Sequence, residues 1–263
     1  MPTVETQKAV MTVYEKWALI VSIIALLVPA IQCIWKKWIM NAVVKYHPTG
    51  QATLFFNQSG SYIRINGVLE SERKASTIKK MRIVVTRLHD ERKLNLTWSY
   101  FISPVNQSLF GNYVQTTEAA HPFRVEADSV SCAFVEYNDP TDSSGIKIRN
   151  VCASLRDAIQ NVVPEHNYEE AYSVLSKTAE FINARNQIMN DFFWEIGKYH
   201  VDVMVEYDKQ KTKSFPLEFS VTEQNSNELR NNIDKALIVK LKDYYRVTYD
   251  FIFPMIEISE RNV

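Results

Sequence analysis

The stretch Gly197-Lys-Tyr-His-Val-Asp-Val-Met-Val-Glu-Tyr207 alternates apolar and polar side chains without a break from position 199 to position 207. An alternation with a period of two is typical of a β-strand that buries one face and exposes the other. Polar residues follow at 208–213, and the alternation resumes at 215–221. We therefore predict an antiparallel hairpin here, and with it a body built mainly from β-strands.

The same two-residue period recurs upstream of this hairpin. It is clearest at 93–100 and at 81–85, and the polar stretch 90–92 between these segments predicts a second hairpin. Further strands are predicted at 51–56, 63–69, 121–126 and 131–137. A last strand is predicted at 245–253, where aromatic and branched residues again alternate with polar ones.

Three segments show helical spacing instead. Apolar residues recur every three or four positions from Val151 to Val162, and Pro164 stops that segment. A longer helix is predicted at 167–190 with Asn167 as its N-cap, and a third at about 226–242. The predicted fold class is therefore mainly β with helical insertions (α+β).

The run Trp194-Glu-Ile-Gly-Lys-Tyr-His-Val-Asp-Val-Met-Val205 resembles the W-x-x-G-x-Y-x-V-x-V pattern found late in immunoglobulin-like and fibronectin-like domains. The resemblance implies an antiparallel immunoglobulin-like β-sandwich. The long helices depart from a plain immunoglobulin domain, so arrestin-like and barrel arrangements stay open as alternatives.

An uncharged apolar run, WALIVSIIALLVPAIQCIW at 17–35, precedes the β body. As a helix it would reach about 28 Å, close to the thickness of a bilayer's hydrocarbon core. Tryptophan and lysine suit the two interfaces of such a helix, which predicts five anchor residues: Trp17, Trp35, Lys36, Lys37 and Trp38. The predicted organisation is a tail at 1–16, a single transmembrane helix with its juxtamembrane anchor at 17–40, and a soluble domain at 41–263. Within the soluble domain we predict a helical insertion at about 150–193 and a helix at about 226–242.

Lysine bias gives the orientation of this helix. Two lysines precede the apolar run and three follow it by residue 45, which predicts an outside N-terminus and a cytoplasmic C-terminal domain. The predicted localisation is therefore a single-pass membrane protein. The alternative is a cleaved signal peptide, because Val28-Pro-Ala30 fits a small-residue cleavage site.

Composition argues against several chemistries. The formal charge is zero, with 30 Lys and Arg against 30 Asp and Glu, so we expect no nucleic-acid partner. Only six glycines are present, which disfavours phosphate-cradling loops. None of the five histidines has another histidine or a cysteine at ligand spacing, so we predict no metal site and no cofactor. We expect no enzymatic activity; the alternative, an enzyme with a dispersed site, requires a concave cluster of ionisable groups in the folded body.

Cationic side chains crowd the segment 73–93, with eight Lys or Arg against two acidic residues. On a strand, Lys80 and Arg82 face the same way, which predicts a basic face for an anionic lipid or a phosphorylated ligand. The predicted ligand-binding residues are Lys79, Lys80, Arg82 and Arg87. The alternative is a solvated outer sheet face on which lysine blunts edge pairing.

The three cysteines, Cys33, Cys132 and Cys152, have no framework spacing and indicate a reducing compartment. We therefore predict a membrane-anchored sensor or effector that binds a protein partner, a second copy of itself or an anionic ligand, as in a bacterial stress or phage-defence system. The alternative is an envelope-facing adhesion or assembly module, which predicts an exported body with a Cys132–Cys152 bridge.

Overall fold

A computed structural model describes residues 12–35, 41–109, 112–138, 143–163, 167–208 and 210–261. Its first element is helix α1, Val13–Ile34, which begins earlier than the predicted apolar run. The hydroxyl of Thr12 accepts a hydrogen bond from the Glu15 amide (3.3 Å), and the Glu15 carboxylate accepts one from the Thr12 amide (2.7 Å). This reciprocal capping box starts the helix. None of the residues of α1 is buried against the rest of the chain.

Eleven strands among the described residues form one antiparallel sheet. They are β1 Val43–Asn57, β2 Gly60–Glu72, β3 Ser76–Arg87, β4 Lys93–Leu109, β5 Asn112–Ala119, β6 Phe123–Val125, β7 Ser129–Cys132, β8 Val135–Tyr137, β9 Gly197–Tyr207, β10 Lys211–Val221 and β11 Met255–Glu260. Their order is β5-β4-β8-β2-β1-β11-β10-β9-β3-β6, with β7 also paired to β2 and β4 also paired to β3.

The sheet closes into a ring of eight strands because β4 and β11 each change partner along their length. β4 pairs with β3 through residues 93–97 and with β8 through residues 98–101. β11 pairs with β1 through residues 255–257 and with β10 through residues 258–260. A closed ring leaves few backbone edges unpaired. The predicted antiparallel β body is therefore confirmed, whereas the immunoglobulin-like topology stays a prediction.

Both predicted hairpins are present. β9 and β10 pair from Tyr207 opposite Lys211 to Gly197 opposite Val221, and β3 pairs with β4 across the predicted turn. The turn 57–60 joins β1 to β2. β5, β11 and the first half of β1 were not predicted from the sequence.

Six further helices lie in the described residues: α2 Ser143–Ser154, α3 Arg156–Val162, α4 Tyr168–Leu175, α5 Ala179–Asp191, α6 Glu223–Leu237 and α7 Val239–Tyr245. The helices predicted at 167–190 and at about 226–242 are each a pair of shorter ones, with breaks at 176–178 and at Ile238. The helix predicted from Val151 to Val162 is α3 together with the end of α2, with a break at Leu155. The predicted N-cap is confirmed, because the Asn167 side chain accepts a hydrogen bond from the Glu170 amide (3.1 Å) and the Glu170 carboxylate accepts one from the Asn167 amide (3.3 Å).

The strand predicted at 245–253 is wrong. α7 continues to Tyr245 and ends at Arg246, whose φ of 56° is left-handed and turns the chain. Asn232, fully buried on α6, then holds the segment: its side-chain amide donates to the Ile252 carbonyl (2.7 Å) and accepts from the Ile252 amide (3.1 Å). These Ile252 backbone groups therefore bind a helix side chain instead of a neighbouring strand. We call residues 246–254 the strap.

The two ends of the ring differ. The chain from α1 enters at the start of β1, where β2 ends, β3 begins and β9 turns into β10; we call this the tether end. The opposite, helical end is covered by α2 and α6, and the turn 57–60 contacts α2 there.

The turn packs closely against α2. At Gly60, with φ of 93°, an added Cβ would lie only 3.3 Å from the Gly145 Cα, so glycine permits this close packing. One continuous core joins the inward face of the ring to the helices.

Candidate functional site

Three of the four predicted basic residues are exposed on the outer face of β3: Lys79, Lys80 and Arg82. Lys80 lies opposite Glu206 of β9, so a carboxylate shares this face. Arg87 does not lie with them, because it is only 3 % exposed. Its assignment to the basic face is therefore corrected.

Arg87 instead closes the helical end of β3. Its Nε and Nη2 donate to the Asp90 carboxylate (2.9 and 2.5 Å), and its Nη1 donates to the Phe193 carbonyl (3.0 Å) and lies 3.2 Å from Glu195 Oε2. The hydrogen bonds from Arg87 hold the pKa of Asp90 well below its ordinary value and raise the pKa of Arg87 itself. The guanidinium therefore stabilises the segment that precedes β9.

The predicted anchor residues divide into two groups. Trp17 and Trp35 are 63 % and 54 % exposed, near the two ends of α1. Lys36, Lys37 and Trp38 lie outside the described residues. The helix has 22 residues, which corresponds to a length of about 33 Å.

A cavity of about 840 Å³ lies on the outside of the ring, where β9, β10, β11 and β1 form a concave surface. We call this surface the concave wall. Thr222 and Asn225, at the start of α6, line it together with Met255, which is 71 % exposed. Six chemically active side chains line it as well: Lys198, His200, Glu218, Ser220, Glu257 and Ser259.

Strand register places the polar side chains of the wall in rows. In one row, His200 lies opposite Glu218, and Glu218 lies opposite Ser259. His200 Nε2 is 3.9 Å from Glu218 Oε2. In the next row, Lys198 lies opposite Ser220. Basic, acidic and hydroxyl side chains therefore lie next to one another across the wall.

A third row extends the same pattern toward the tether end. Asp202 lies opposite Pro216, and the Arg261 guanidinium reaches it at 3.7 Å. On the far side of the wall, Glu257 lies opposite Gln51 of β1. The wall thus offers hydrogen-bond donors and acceptors of both charges to a ligand.

The order of the first row limits its chemistry. Glu218 stands between the imidazole of His200 and the hydroxyl of Ser259, and two strand spacings separate the outer strands by about 10 Å. Activation of a serine requires the imidazole within hydrogen-bond reach of the hydroxyl. This row therefore suits ligand binding better than nucleophilic catalysis. Within the described residues, no group of three His, Cys, Asp or Glu could hold a metal ion.

Sequence reasoning missed the wall. Alternation places His200 and Glu218 on the polar faces of two strands of a predicted hairpin, and this signal was available. Glu257 and Ser259 belong to β11, which no pattern predicted. Since a concave surface depends on all four strands, the pair within the hairpin did not suffice to find it.

The three cysteines lie in separate parts of the chain and are all free. Cys132 is exposed on β7. Cys152 on α2 packs against α6, where its Sγ is 3.7 Å from the Ala236 carbonyl, and burial raises its pKa to about 11. The Cys132–Cys152 bridge that the envelope alternative predicts is therefore not formed.

Comparison with protein-family models, with curated proteins and with solved structures gives no match to this chain.

Proposed function

We propose that this chain is a single-pass membrane-anchored protein whose β body binds a small polar ligand at the concave wall. The observation that carries the proposal is α1, an apolar helix of 22 residues with no residue buried against the body. So large an apolar surface is unfavourable in water and suits a hydrocarbon core of about 30 Å. A signal sequence has the same composition, and the experiment below separates the two.

The geometry of the wall supports the binding part of the proposal. Ligand sites are concave and combine a few convergent polar groups with apolar surface. The wall has this composition, with His200 and Glu218 at its centre and the exposed Met255 at its edge. Rows of opposite charge suit a ligand that itself carries both charges, such as an amino acid or a short peptide.

The role in the cell follows from the anchor. We propose an outside N-terminus, a cytoplasmic body and a sensor or effector function in which α1 associates with a second copy. Ala18 and Ser22 lie one turn apart, and the Ser22 hydroxyl donates to the Ala18 carbonyl within the same helix (2.8 Å). A small-residue surface of this kind lets two membrane helices approach closely. A chain that stays strictly monomeric in the membrane would contradict the effector role.

An enzyme with a dispersed site is the second candidate function. The specific observation in its favour is the cluster of ionisable side chains in the concave wall: Lys198, His200, Glu218 and Glu257. Binding ranks first because the imidazole in this cluster neighbours a carboxylate rather than a nucleophile.

The anchor is tested in cells with full-length protein. Membranes are extracted with alkaline carbonate, and intact cells are labelled with a membrane-impermeant maleimide. With Cys33→Ser and Cys152→Ala in place, exposed Cys132 reports the body; a matched variant with Thr3→Cys and Cys132→Ser reports the N-terminus. We expect carbonate-resistant protein that labels only at position 3.

Two other outcomes contradict parts of the proposal. Removal of the first 30 residues, or release by carbonate, rejects the anchor. Labelling of Cys132 alone in intact cells reverses the orientation and favours the envelope-facing module.

Ligand binding at the wall is tested by thermal unfolding in the presence of free amino acids and dipeptides. A ligand that binds only the folded state raises the Tm, so at least one compound is expected to raise it for the wild type. The double variant His200→Gln with Glu218→Gln is expected to lose that shift. The matched control Lys93→Gln, exposed and outside the wall, keeps it. An equal shift in the double variant would place the ligand elsewhere, and no shift with any compound would reject this ligand class.

A further inference from the structure

A β-bulge at the start of β3 turns two consecutive lysines outward. The register with β9 shifts between Ile78, opposite Tyr207, and Lys80, opposite Glu206. A bulge inserts one extra residue into a strand and so re-aims a side chain. Lys79 and Lys80 are therefore both exposed, although Ile78 and Met81 on either side are fully buried.

The turn between β9 and β10 is fastened to this bulged strand. Asp208, with a left-handed φ of 50°, accepts hydrogen bonds from the Ser76 hydroxyl (3.0 Å) and the Thr77 amide (3.2 Å). Its own amide donates to the Thr77 carbonyl (3.0 Å). Lys211, which follows this turn and is exposed, is thereby held at the same end of the ring as Lys79 and Lys80.

The turn between β2 and β3 adds a third position. Arg73 has a φ of 69°, which is strained for a residue with a side chain, and the Asp128 carboxylate accepts a hydrogen bond from its amide (2.9 Å). The Asp128 amide in turn donates to the Ser71 carbonyl (2.7 Å). The turn is therefore held in one conformation, with Arg73 exposed to solvent.

Most carboxylates at this end are engaged with groups outside the exposed cations. Glu72 pairs with Lys45 and Glu126 pairs with Arg124, while Asp128 and Asp208 bind backbone and hydroxyl groups. Glu206 faces Lys80 across the strands without an ion pair. In the described part of the chain, no ion pair joins a carboxylate to any of four exposed cations: Arg73, Lys79, Lys80 and Lys211. Lys211 donates to the Asn41 side chain (2.7 Å).

These four cations, which we call the tether cluster, lie at the end of the ring that the chain from α1 enters. Nine residue steps separate Ile34 from Val43, and a fully extended chain covers at most about 32 Å over that length. An anchored body therefore keeps the start of β1 within about 32 Å of the end of α1. Clustered lysines and arginines near a bilayer attract anionic headgroups.

We propose that the tether cluster binds anionic lipid headgroups, so that the body stands on the membrane with its helical end outward. This inference rests on the proposed anchor. The inference gives the basic face of β3 a partner. It keeps Lys79 and Lys80 from the predicted set of ligand-binding residues, but Arg73 and Lys211 take the place of Arg82 and Arg87 in that set. It also leaves the concave wall, on the side of the ring, open to a soluble ligand.

The test uses the full chain in lipid nanodiscs, one set made of zwitterionic phosphatidylcholine and one containing phosphatidylserine. Lysines are acetylated with a water-soluble reagent, and rates are measured by peptide mass spectrometry. We expect Lys79, Lys80 and Lys211 to react at least threefold more slowly in the phosphatidylserine discs, and about 1 M salt to remove the difference, because charges are then screened beyond ~3 Å. Exposed lysines of the helical end serve as internal controls with equal rates in both discs: Lys93, Lys177 and Lys240.

A charge-reversal variant sharpens the test. Lys74, which follows Arg73, is also expected to react more slowly in the phosphatidylserine discs. With Lys79→Glu, Lys80→Glu and Lys211→Glu, this slowing at Lys74 is expected to disappear. The matched control with Lys93→Glu, Lys177→Glu and Lys240→Glu is expected to keep it.

Three other outcomes would reject the proposed lipid contact, each for a different reason. Equal rates in the two disc types, with the chain retained in both, overturn the lipid contact and leave the anchor intact. Equal slowing by soluble inositol hexakisphosphate in zwitterionic discs assigns the cluster to a free phosphate ligand instead. Failure of the chain to co-purify with discs rejects the anchor and this inference together.

Discussion

Trp194 Nε1 donates a hydrogen bond of 2.9 Å to the backbone carbonyl of Phe55, which joins the segment before β9 to the last part of β1. Trp194 is fully buried, and its ring packs against Phe193, Tyr199 and Phe219. The tryptophan that carries the immunoglobulin-like resemblance thus lies where the helices meet the ring.

Replacement of this tryptophan is expected to destabilise the whole body. Trp194→Phe removes the bond to Phe55 and leaves a cavity, which together cost about 2–3 kcal/mol of unfolding free energy. Urea unfolding in detergent, followed by circular dichroism, measures the loss. Trp98→Phe, at a half-buried position, is the control and is expected to cost less. Equal effects of the two changes would contradict the central place of Trp194.

Arg87 and Arg82 are expected to behave in opposite ways. Arg87→Met leaves the Phe193 carbonyl and the half-exposed carboxylates of Asp90 and Glu195 without their buried partner and is expected to cost about 2 kcal/mol of unfolding free energy. Arg82→Met, on the exposed face, is expected to stay within about 0.5 kcal/mol of the wild type. Chemical denaturation measures both. A neutral Arg87→Met would contradict the stabilising role assigned to Arg87.

Asp90 makes the stability of the fold depend on pH in the acidic range. Its pKa in the folded state is held below the ordinary value of 3.8 by Arg87, so its contribution is complete above that pH and is lost as the pH falls below it. The Tm of the wild type is therefore expected to fall further between about pH 5 and about pH 3 than the Tm of Asp90→Asn does. The exposed change Asp157→Asn should leave the wild-type slope unchanged. Parallel slopes for wild type and Asp90→Asn would refute the assignment.

The two cysteines of the body are expected to differ sharply in reactivity. Burial raises the pKa of Cys152 to about 11, so at pH 8 about one thiol in a thousand is a thiolate. Iodoacetamide at that pH should modify exposed Cys132 and spare Cys152 until the protein is unfolded in urea. Peptide mass spectrometry reads both sites in one sample. Rapid modification of native Cys152 would show that α2 opens away from α6.

The strap is expected to depend on one side chain. Asn232→Ala removes both hydrogen bonds to Ile252, and the loss is expected to cost about 2 kcal/mol of unfolding free energy. Hydrogen exchange of residues 246–254 should rise in this variant. The matched change at exposed Asn231→Ala should alter neither quantity. Unchanged exchange in Asn232→Ala would mean that Lys235 and Lys242, which contact Asp250, hold the strap without it.

The case of Arg87 shows how far pattern reading reached. Arg87 shares the parity of Ile83 and Val85, which face the core, and not that of Lys80 and Arg82. The alternation therefore placed Arg87 on the buried face, but the many positive charges of this segment led us to assign it to the basic face. The strap is different, since 245–253 alternates as a strand does, yet a side chain on α6 binds its backbone.

What the sequence determined by itself was local. Period-two alternation identified most strands, a capping residue placed the start of α4, and an uncharged apolar run identified α1; each signal arises from side chains a few residues apart. The tertiary structure decided the closure of the ring, the concave wall, the burial of Arg87 and the tether cluster. These depend on which strands pair, and sheet pairing is made by backbone groups that are nearly the same at every residue. Their partners lie far apart in the chain, as Arg87 and Phe193 do, so short-range patterns carry little information about them.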